Sequence, residues 1–257
     1  YKTVVTHGRV VDGEGRKQSK SLGNGMAPKE VIDEYGADIL RLWVASSDYH
    51  ADIRISKDIL KQLSESYRKI RNTARYILGN LFDFDPNENM VSLEEIQPID
   101  KWALYKLDEL NKKVREAYDN FEFHLVYHAV RNFCVVDMSN FYLDILKDRL
   151  YVEKADSKSR RAAQTTIYII LNAMTRLLSP ILAYTSEEIW SEMPHSSKEV
   201  ASNVILNQMP ELINIEVDDE FVGYWDCIHN LREDVQKALE LARGEKIIGS
   251  SLDAKVT

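Results

Sequence analysis

The sequence predicts a mainly α-helical protein that begins with a small segment of mixed helix and strand. Three observations favour this fold class. From Ser56 onward, apolar residues recur at steps of three and four, which is the spacing of amphipathic helices. Proline and glycine divide this pattern into helices of ordinary length. The stretch Thr3-Val4-Val5-Thr6 is instead typical of a strand.

Proline and glycine also place the predicted elements in order. Residues 1–11 are expected to form two short strands, and a glycine-flanked loop follows them. Pro28 lies in the first turn of a short helix that Gly36 ends, and a second helix covers about residues 38–46. Beyond these, the predicted helices cover residues 57–81, 98–119, 122–150, 158–178, 181–193 and 218–243.

Length and composition bound the class of protein. A chain of 257 residues permits one large domain, or one domain and part of another. Its 44% hydrophobic and 29% charged residues are ordinary for a soluble globular protein with a sizeable core. The most apolar run, residues 167–184, is interrupted by polar residues and a proline, so it predicts a core helix rather than a membrane span.

The cysteines and the first residues indicate the compartment. Cys134 and Cys227 lie in apolar helical contexts, which predicts buried thiols of a reducing cytosol rather than a disulfide. No signal or transit peptide is visible. A cytoplasmic location is therefore expected.

A basic loop near the beginning of the chain is the first candidate site. Residues 16–21 read Arg-Lys-Gln-Ser-Lys-Ser, with glycines shortly before and after them. Ammonium groups supply point charges and small hydroxyls supply hydrogen bonds, a combination that suits a transiently held polyphosphate. On charge alone, a solvated basic loop is the alternative. The candidate residues are Lys17, Ser19, Lys20 and Ser21.

Basic residues of the predicted helix at residues 57–81 form the second candidate site. Although the net charge of -8 argues against nucleic acid, it permits local basic patches. The apolar residues Leu63, Tyr67, Ile70, Ala74, Ile77 and Leu81 form one stripe. Roughly 130° around the helix lie Arg68, Arg71, Asn72 and Arg75, which could bind RNA phosphates. A solvated face with Glu65 as ion-pair partner is the alternative, and a second basic cluster contains Lys158, Arg160 and Arg161.

Other residue patterns carry weaker signals. His124 and His128 have the spacing of a zinc pair, but no third ligand is evident nearby, so no metal site is expected in this chain. Glu187 and Glu188 are adjacent on a predicted helix and do not face one site, which indicates surface residues. Core or interface positions are expected for Trp43, Trp102, Trp190 and Trp225.

Several motifs together resemble one family. Residues 17–21 resemble the KMSKS signature of class I aminoacyl-tRNA synthetases, with Gln18 where the family usually has methionine. Residues 22–24 and 36–43 are similar to the isoleucyl and valyl branch of that family. The segments similar to bacterial isoleucyl-tRNA synthetases are residues 44–49, 52–56, 71–75 and 141–149.

This resemblance implies a domain organisation. Residues 1–56 would be the end of a class I, Rossmann-like catalytic domain with the lysine loop and a connector. Residues 57–243 would be a helical-bundle anticodon-binding domain, and residues 244–257 a truncated C-terminal strand or linker. A His-x-Gly-His motif and a Cys-x-x-Cys pair are absent, and the chain begins with tyrosine. An excised segment of a longer enzyme is therefore expected, inactive by itself.

The resemblance also implies a function. The parent would be a monomer that activates isoleucine with ATP and Mg²⁺ and transfers it to isoleucine tRNA. Lys17 and Lys20 would offset charge on the ATP phosphates, and Lys20 matches the lysine that the family uses on ATP. Zinc is expected only in a C-terminal module outside this chain. Two alternatives stay open, namely a valyl-tRNA synthetase segment and a non-catalytic helical RNA-binding or scaffold domain.

Overall fold

The computed structural model describes residues 1–250 and 253–255. The chain forms two compact units, Tyr1–Asn214 and Ile215–Thr257. Within the described residues, helices dominate and the sheet has two strands. The predicted mainly helical fold class is therefore confirmed.

The first unit begins with a short parallel ribbon. Strand β1, Val10–Val11, pairs in parallel with β2, Ile53–Arg54, and Val10 lies opposite Ile53. The predicted strand at residues 3–6 is wrong, because Val4 and Val5 project into solvent and no described strand pairs with them. A strand needs a partner that accepts and donates its backbone hydrogen bonds.

Two short helices follow the lysine loop, as predicted. Helix α1, Pro28–Tyr35, starts with proline in its first turn. It ends at Gly36, whose φ of 91° is a conformation that glycine adopts without steric cost. Helix α2, Ala37–Ser46, begins immediately afterwards and is well buried on one side. β2 then leads into the bundle.

The bundle of the first unit contains the long helices that the apolar spacing predicts. They begin with α3, Lys57–Gly79, which is capped by Ser56, and α4, Pro98–Asp119. Helix α5, Phe123–Asn132, is followed by a π-helical stretch and by two short helices. The remaining elements are the π-helical stretch Phe133–Tyr142, α6 Leu143–Ile145, α7 Lys147–Tyr151, α8 Lys158–Leu178, α9 Ala183–Glu192 and the 3₁₀ turn Val204–Leu206.

The π-helical stretch corrects the prediction of one helix over residues 122–150. Phe133 and Met138 are five residues apart and both are buried, which matches the wider turn of an i→i+5 helix. The wider helical turn over residues 133–142 therefore keeps apolar side chains such as Phe133 and Met138 in the core. It then continues as two short helices instead of one.

The core of the first unit surrounds α8, most of whose residues are buried. Trp102 and Trp190 are almost fully buried, and Trp43 is 4% exposed, so these three tryptophans occupy the core as predicted. In the second unit, Trp225 is half-buried. The core positions follow the apolar periodicity of each helix.

A buried ion pair connects three elements of the bundle. Both oxygens of the Asp100 carboxylate accept hydrogen bonds of 2.8 Å from the Arg149 guanidinium. The Tyr142 hydroxyl donates to Asp100 at 2.7 Å, and burial raises the pKa of Tyr142. Because both charges are paired and hydrogen-bonded, the site ties α4, the π-helical stretch and α7 together without an orphaned buried charge.

The second unit contains one long helix, α10, Asp219–Gly244, as predicted. The Asp218 side chain caps it by accepting a hydrogen bond of 2.8 Å from the Phe221 N–H. The predicted strand after this helix is wrong for residues 246–250 and 253–255, which form turns and irregular structure. The rest of that predicted strand, residues 251–252 and 256, lies outside the described residues.

The cysteines differ from each other. Cys134 is fully buried, and burial raises its pKa to about 12. Cys227 is exposed on α10, so its predicted burial is wrong. Its neighbours along the helix are largely solvated, and α10 has no buried residue within the described structure.

As for membranes, no helix in the described part of the chain is long and apolar enough to span a bilayer.

Candidate functional site

The lysine loop lies between β1 and α1 and contains turns rather than a helix or strand. It opens with a tight turn in which the Gly15 N–H donates to the Asp12 carbonyl at 3.0 Å. The Asp12 N–H donates back to the Arg16 carbonyl at 2.9 Å, and Lys17 forms a single antiparallel bridge with Val11. The predicted loop conformation is confirmed.

Asp12 organises the first half of the loop. Its carboxylate accepts hydrogen bonds from the backbone N–H groups of Glu14, at 3.0 Å, and Arg16, at 2.8 Å. It also accepts from Arg16 Nε at 2.9 Å and from Asn24 Nδ2 at 2.8 Å. The hydrogen bond from Asn24, and then that from the Arg16 backbone, hold the pKa of Asp12 well below its usual range. Asp12 is therefore ionised at neutral pH and compensates positive charge nearby.

Asn24 closes the loop from its other end. Its Oδ1 accepts a hydrogen bond of 2.9 Å from the Ser19 N–H. Its Nδ2 donates to Asp12 and also to the Lys17 carbonyl, at 3.3 Å. One amide side chain thus fixes the backbone on both sides of Gln18. The sequence analysis missed Asp12 and Asn24, although the glycines around both residues marked the turns that need such side-chain contacts.

The loop presents its cations to solvent. Lys17 and Lys20 are exposed, and neither ammonium has an ion-pair partner among the residues that the structure describes. The hydroxyls of Ser19 and Ser21 lie 2.6 Å apart, so they already share a hydrogen bond. The four predicted residues thus share one short loop, in which the two serine hydroxyls are in contact and both lysine side chains are exposed. Such a surface suits a polyphosphate anion.

The described residues contain no group of three histidine, cysteine or acidic side chains that could hold a metal ion. Of the two acidic residues at the start of the loop, Asp12 already accepts several hydrogen bonds and Glu14 pairs with Arg16. Within this part of the chain, the loop therefore does not fit a magnesium site. His124 is half-buried and His128 is exposed on α5.

Helix α3 has the two faces that its spacing predicts. Most of the predicted apolar stripe is buried, whereas Tyr67 is half-buried. On the opposite side, the exposed side chains of Arg68, Asn72 and Arg75 have no hydrogen-bond or ion-pair partner among the described residues. These three residues form an open polar face with two unpaired guanidinium groups.

Arg71 is different, because it belongs to a chain of contacts. Its Nη2 donates to Glu188 on α9 at 2.7 Å, and its Nη1 donates to the Tyr67 hydroxyl at 3.3 Å. The Tyr67 hydroxyl is 2.8 Å from Thr185 Oγ1, and that hydroxyl donates to the Asp38 carboxylate at 2.6 Å. Arg71 therefore has a structural role in joining α3 to α9.

Glu65, which the alternative of a solvated face assigned as ion-pair partner, forms no ion pair with any residue that the structure describes. Arg71 of the predicted arginine stripe pairs instead with a residue of another helix. The partner is Glu188, an exposed residue of α9 that the sequence analysis correctly placed on the surface.

The second basic cluster is not a free cationic patch. Arg160 makes two hydrogen bonds with the Asp83 carboxylate, at 2.7 and 3.0 Å. Arg161 donates to the Asp83 carbonyl at 2.7 Å, and Lys158 pairs with Glu95 at 2.7 Å. The acidic segment after α3 therefore neutralises this cluster, which corrects the prediction of a basic surface there.

Comparisons with known sequence families decide the class of protein. Residues 100–257 match the family described as the anticodon-binding domain of tRNA ligase. Residues 1–56 match the family described as tRNA synthetases class I (I, L, M and V). The chain belongs to the family of the anticodon-binding domain of tRNA ligase. The lysine loop lies within the second match, whereas the open face of α3 lies between the two matches. Together the matches confirm the resemblance to tRNA synthetases that the motifs indicate.

The curated relatives of this chain are named for one amino acid, isoleucine. The chain is 58% identical over 257 residues to Isoleucine–tRNA ligase of Caldanaerobacter subterraneus, covering 100% of this chain and 28% of that protein. It is 56% identical over 256 residues to Isoleucine–tRNA ligase of Syntrophotalea carbinolica, covering 100% of this chain and 27% of that protein. The chain thus spans little more than a quarter of the length of these relatives.

Solved structures show the same fold. A LeuRS–tRNA–LeuAMS ternary complex from Agrobacterium radiobacter aligns with a TM-score of 0.61 at 23% identity, covering 80% of this chain and 23% of that one. The methionyl-tRNA synthetase of Mycobacterium tuberculosis aligns with a TM-score of 0.59 at 20% identity, covering 72% of this chain and 37% of that one. At this identity the likeness concerns the fold.

Proposed function

We propose that this chain is a segment of an isoleucine–tRNA ligase that activates isoleucine with ATP and transfers it to isoleucine tRNA. The observation that carries the proposal is the similarity over the entire chain, at 52 to 58% identity, to proteins named isoleucine–tRNA ligase. The exposed ammonium groups of the lysine loop suit the phosphates of ATP, and the exposed guanidinium groups of α3 suit the phosphates of RNA. The parent is proposed to be a cytoplasmic monomer.

In this proposal the lysine loop acts during activation. The carboxylate of isoleucine attacks the α-phosphate of ATP, which forms isoleucyl-adenylate and releases pyrophosphate. Negative charge on the phosphates is then offset by Lys17 and Lys20, whose ammonium groups are unpaired within the described structure. The hydroxyls of Ser19 and Ser21 donate hydrogen bonds to phosphate oxygens. Asp12 and Asn24 hold the loop backbone that carries these groups.

The bundle is proposed to bind the anticodon region of the tRNA. Residues 1–56 then complete the catalytic domain, residues 57–243 form the anticodon-binding domain and residues 244–257 lead onward. The exposed Arg68 and Arg75 hold phosphates, and Asn72 can form hydrogen bonds with bases or sugars. Arg71 contributes less to RNA binding because Glu188 already pairs with it.

The two alternatives are less well supported. A valyl-tRNA synthetase segment is not favoured, because curated relatives with 56 to 58% identity carry the isoleucine name. A non-catalytic RNA-binding or scaffold domain has no need of an ordered loop with two free ammonium groups. The lysine loop of this chain is complete at both lysines.

The proposal is tested by comparing the full-length enzyme with this chain. The full-length enzyme should catalyse pyrophosphate exchange that depends on isoleucine, and it should charge isoleucine tRNA rather than valine tRNA. The 257-residue chain by itself should show no exchange above background. Valine tRNA charged in preference to isoleucine tRNA, or clear exchange by the chain alone, would overturn the proposal.

A further inference from the structure

A surface cavity of about 310 Å³ lies between α2, α3 and α5. It shares no residue with the lysine loop or with the open face of α3. Its volume is within the range of small-ligand sites, and Ile59 and Leu63 form its apolar wall. The polar side chains that line it are Ser46, Gln62, Ser66, Tyr127, His128 and Arg131. Three helices thus contribute polar side chains to one cavity.

Most of these polar side chains are unpaired. The Ser46 hydroxyl donates to the Trp43 carbonyl at 3.0 Å. The side chains of the other five form no hydrogen bond or ion pair with any residue that the structure describes. Ser66 is half-buried and Tyr127 is 8% exposed, so protein surrounds much of both side chains. Because such polar groups normally have partners, their convergence on one cavity indicates a binding site.

Arg131 sets the sign of the ligand's charge. Its side chain is half-buried and has no carboxylate partner among the described residues. By contrast, Arg149 and Arg160 each bind an aspartate, at 2.8 and 2.7 Å. A cation that is partly withdrawn from water is stabilised by an opposite charge. Arg131 therefore favours an anion in the cavity.

The acidic residues nearby do not occupy the cavity. Within three positions of its lining residues in the sequence, the acidic residues are Asp48, Asp58 and Glu65. All three are exposed, and none of them lines the cavity. Asp48 pairs with His50 at 3.0 Å. Within the described structure, no carboxylate therefore takes the place of an anionic ligand beside Arg131.

The surroundings of His128 also indicate positive local charge. The pKa of His128 is lowered first by partial burial and then by the positive charges of His124 and Arg131. A carboxylate facing the ring would raise this pKa instead. The ring of His128 contacts that of Tyr127, with centroids 5.0 Å apart. An anion in the cavity thus meets positive charge and hydrogen-bond donors together.

We propose that this cavity binds the terminal phosphate of a small phosphate monoester. Such a phosphate carries roughly 1.5 to 2 negative charges at pH 7 and has three strong acceptor oxygens. The planar fork of Arg131 binds the phosphate, and the hydroxyls of Ser66 and Tyr127 and the amide of Gln62 donate to its oxygens. A phosphodiester of an RNA backbone has fewer free oxygens and a single negative charge, so it satisfies fewer of these donors. The inference goes beyond the proposed function.

The test titrates the full-length enzyme with inorganic phosphate and with phenyl phosphate, and it follows the NMR signal of the His128 ring. Loss of that signal in His128→Gln assigns it. Both probes should shift the signal saturably, whereas dimethyl phosphate, which mimics an RNA backbone, should bind at least roughly 10-fold more weakly. Arg131→Met should weaken binding of inorganic phosphate by roughly 10- to 100-fold.

A second variant tests the same cavity with little effect on folding. Ser66→Ala removes a hydroxyl that has no partner among the described residues, and it should weaken phosphate binding by roughly 3- to 10-fold. Arg243→Met alters an exposed arginine of α10 and is the matched control. It should leave the affinity for phosphate unchanged.

Three results would overturn this phosphate site. One is the absence of a saturable shift of the His128 signal in the unaltered enzyme at phosphate concentrations up to tens of millimolar. Another is unchanged affinity in both Arg131→Met and Ser66→Ala, which would place the bound phosphate elsewhere. The third is binding of dimethyl phosphate as tight as that of phenyl phosphate, which would assign the cavity to a polynucleotide backbone. Isoleucine-dependent pyrophosphate exchange by the unaltered enzyme tests the proposed function separately.

Discussion

The side-chain amide of Asn24 donates a hydrogen bond of 2.8 Å to the carboxylate of Asp12, twelve positions earlier in the chain. This contact joins the two ends of the lysine loop. The same amide accepts the Ser19 N–H at 2.9 Å. The path of the backbone that carries Lys17 and Lys20 therefore depends on this pair of residues, one on each side of the lysines.

Asn24→Ala should lower the rate of isoleucyl-adenylate formation by the full-length enzyme by up to roughly 100-fold, because a loop displaced by about 1 Å no longer places its lysines correctly. Rapid-quench measurement of adenylate formation gives this rate. Asn207→Ala is the matched control, since Asn207 also bonds several backbone groups but lies far along the chain. A normal rate in Asn24→Ala would show that the loop holds its shape without this amide.

Lys20→Ala should slow adenylate formation by roughly 100-fold, which corresponds to about 3 kcal/mol of transition-state stabilisation, and should leave tRNA affinity unchanged. The reason is that a free ammonium acts mainly as charge develops on the phosphates. Lys29→Ala removes an exposed lysine that is paired with Asp33 on α1 and serves as the control. A rate within a factor of about two of the unaltered enzyme would reject this role for Lys20.

Arg75→Ala should weaken tRNA binding and reduce the salt dependence of the binding constant by roughly one phosphate contact. Arg71→Ala should have a smaller effect on the salt slope, because Arg71 is 2.7 Å from Glu188 and already neutralised. Salt titrations of tRNA binding to the full-length enzyme measure both. Equal slopes in Arg75→Ala and in the unaltered enzyme would show that this face of α3 is solvated and binds no phosphate.

The Asp83 carboxylate should make the chain sensitive to acid. The hydrogen bond from Arg160 is the largest cause that lowers the pKa of Asp83 below its ordinary value of 3.8. Because the folded state holds this carboxylate ionised, its contribution to stability is present above that pH and is lost as the pH falls below it.

Asp83→Asn should therefore lower the free energy of unfolding at pH 7 by about 1.5–3 kcal/mol and make its decline below pH 4 shallower. Urea unfolding of the chain between pH 7 and pH 2 measures both effects. Asp85→Asn, at an exposed position with local hydrogen bonds only, is the control. A decline of the same steepness in Asp83→Asn would assign the acid sensitivity to other carboxylates.

Helix positions were predictable where the signal is local. Pro28 and Gly36 bound α1 because their backbone preferences act within one turn. The strand predicted at residues 3–6 is absent. The local sequence pattern could not reveal this, because a strand forms only where a partner strand, which can be distant in sequence, pairs with it. Val10 finds its partner at Ile53, a position that no local rule connects with it. The π-helical stretch likewise depends on packing against α3 and α4, which no local helix propensity describes.

The candidate site shows the same division. The lysines were predictable from charge and flanking glycines, whereas Asp12 and Asn24 gain their roles only when the chain turns back on itself. The cluster at residues 158–161 illustrates the opposite error. Sequence shows where charges lie but not which of them meet, and the acidic segment after α3 pairs with this cluster.

The parallel ribbon of β1 and β2 has a mechanical consequence. β1 ends at Val11, next to the lysine loop, and β2 ends at Arg54, three residues before α3 begins at Lys57. Because backbone hydrogen bonds join the two strands, the C-terminal ends of β1 and β2 can move little relative to each other. A rotation of α3 about its axis would move β2, to which it is joined by two residues. Because β2 is hydrogen-bonded to β1, the motion would be transmitted to the lysine loop through the backbone alone. The β1–β2 ribbon thus couples the orientation of α3 mechanically to the position of the lysine loop.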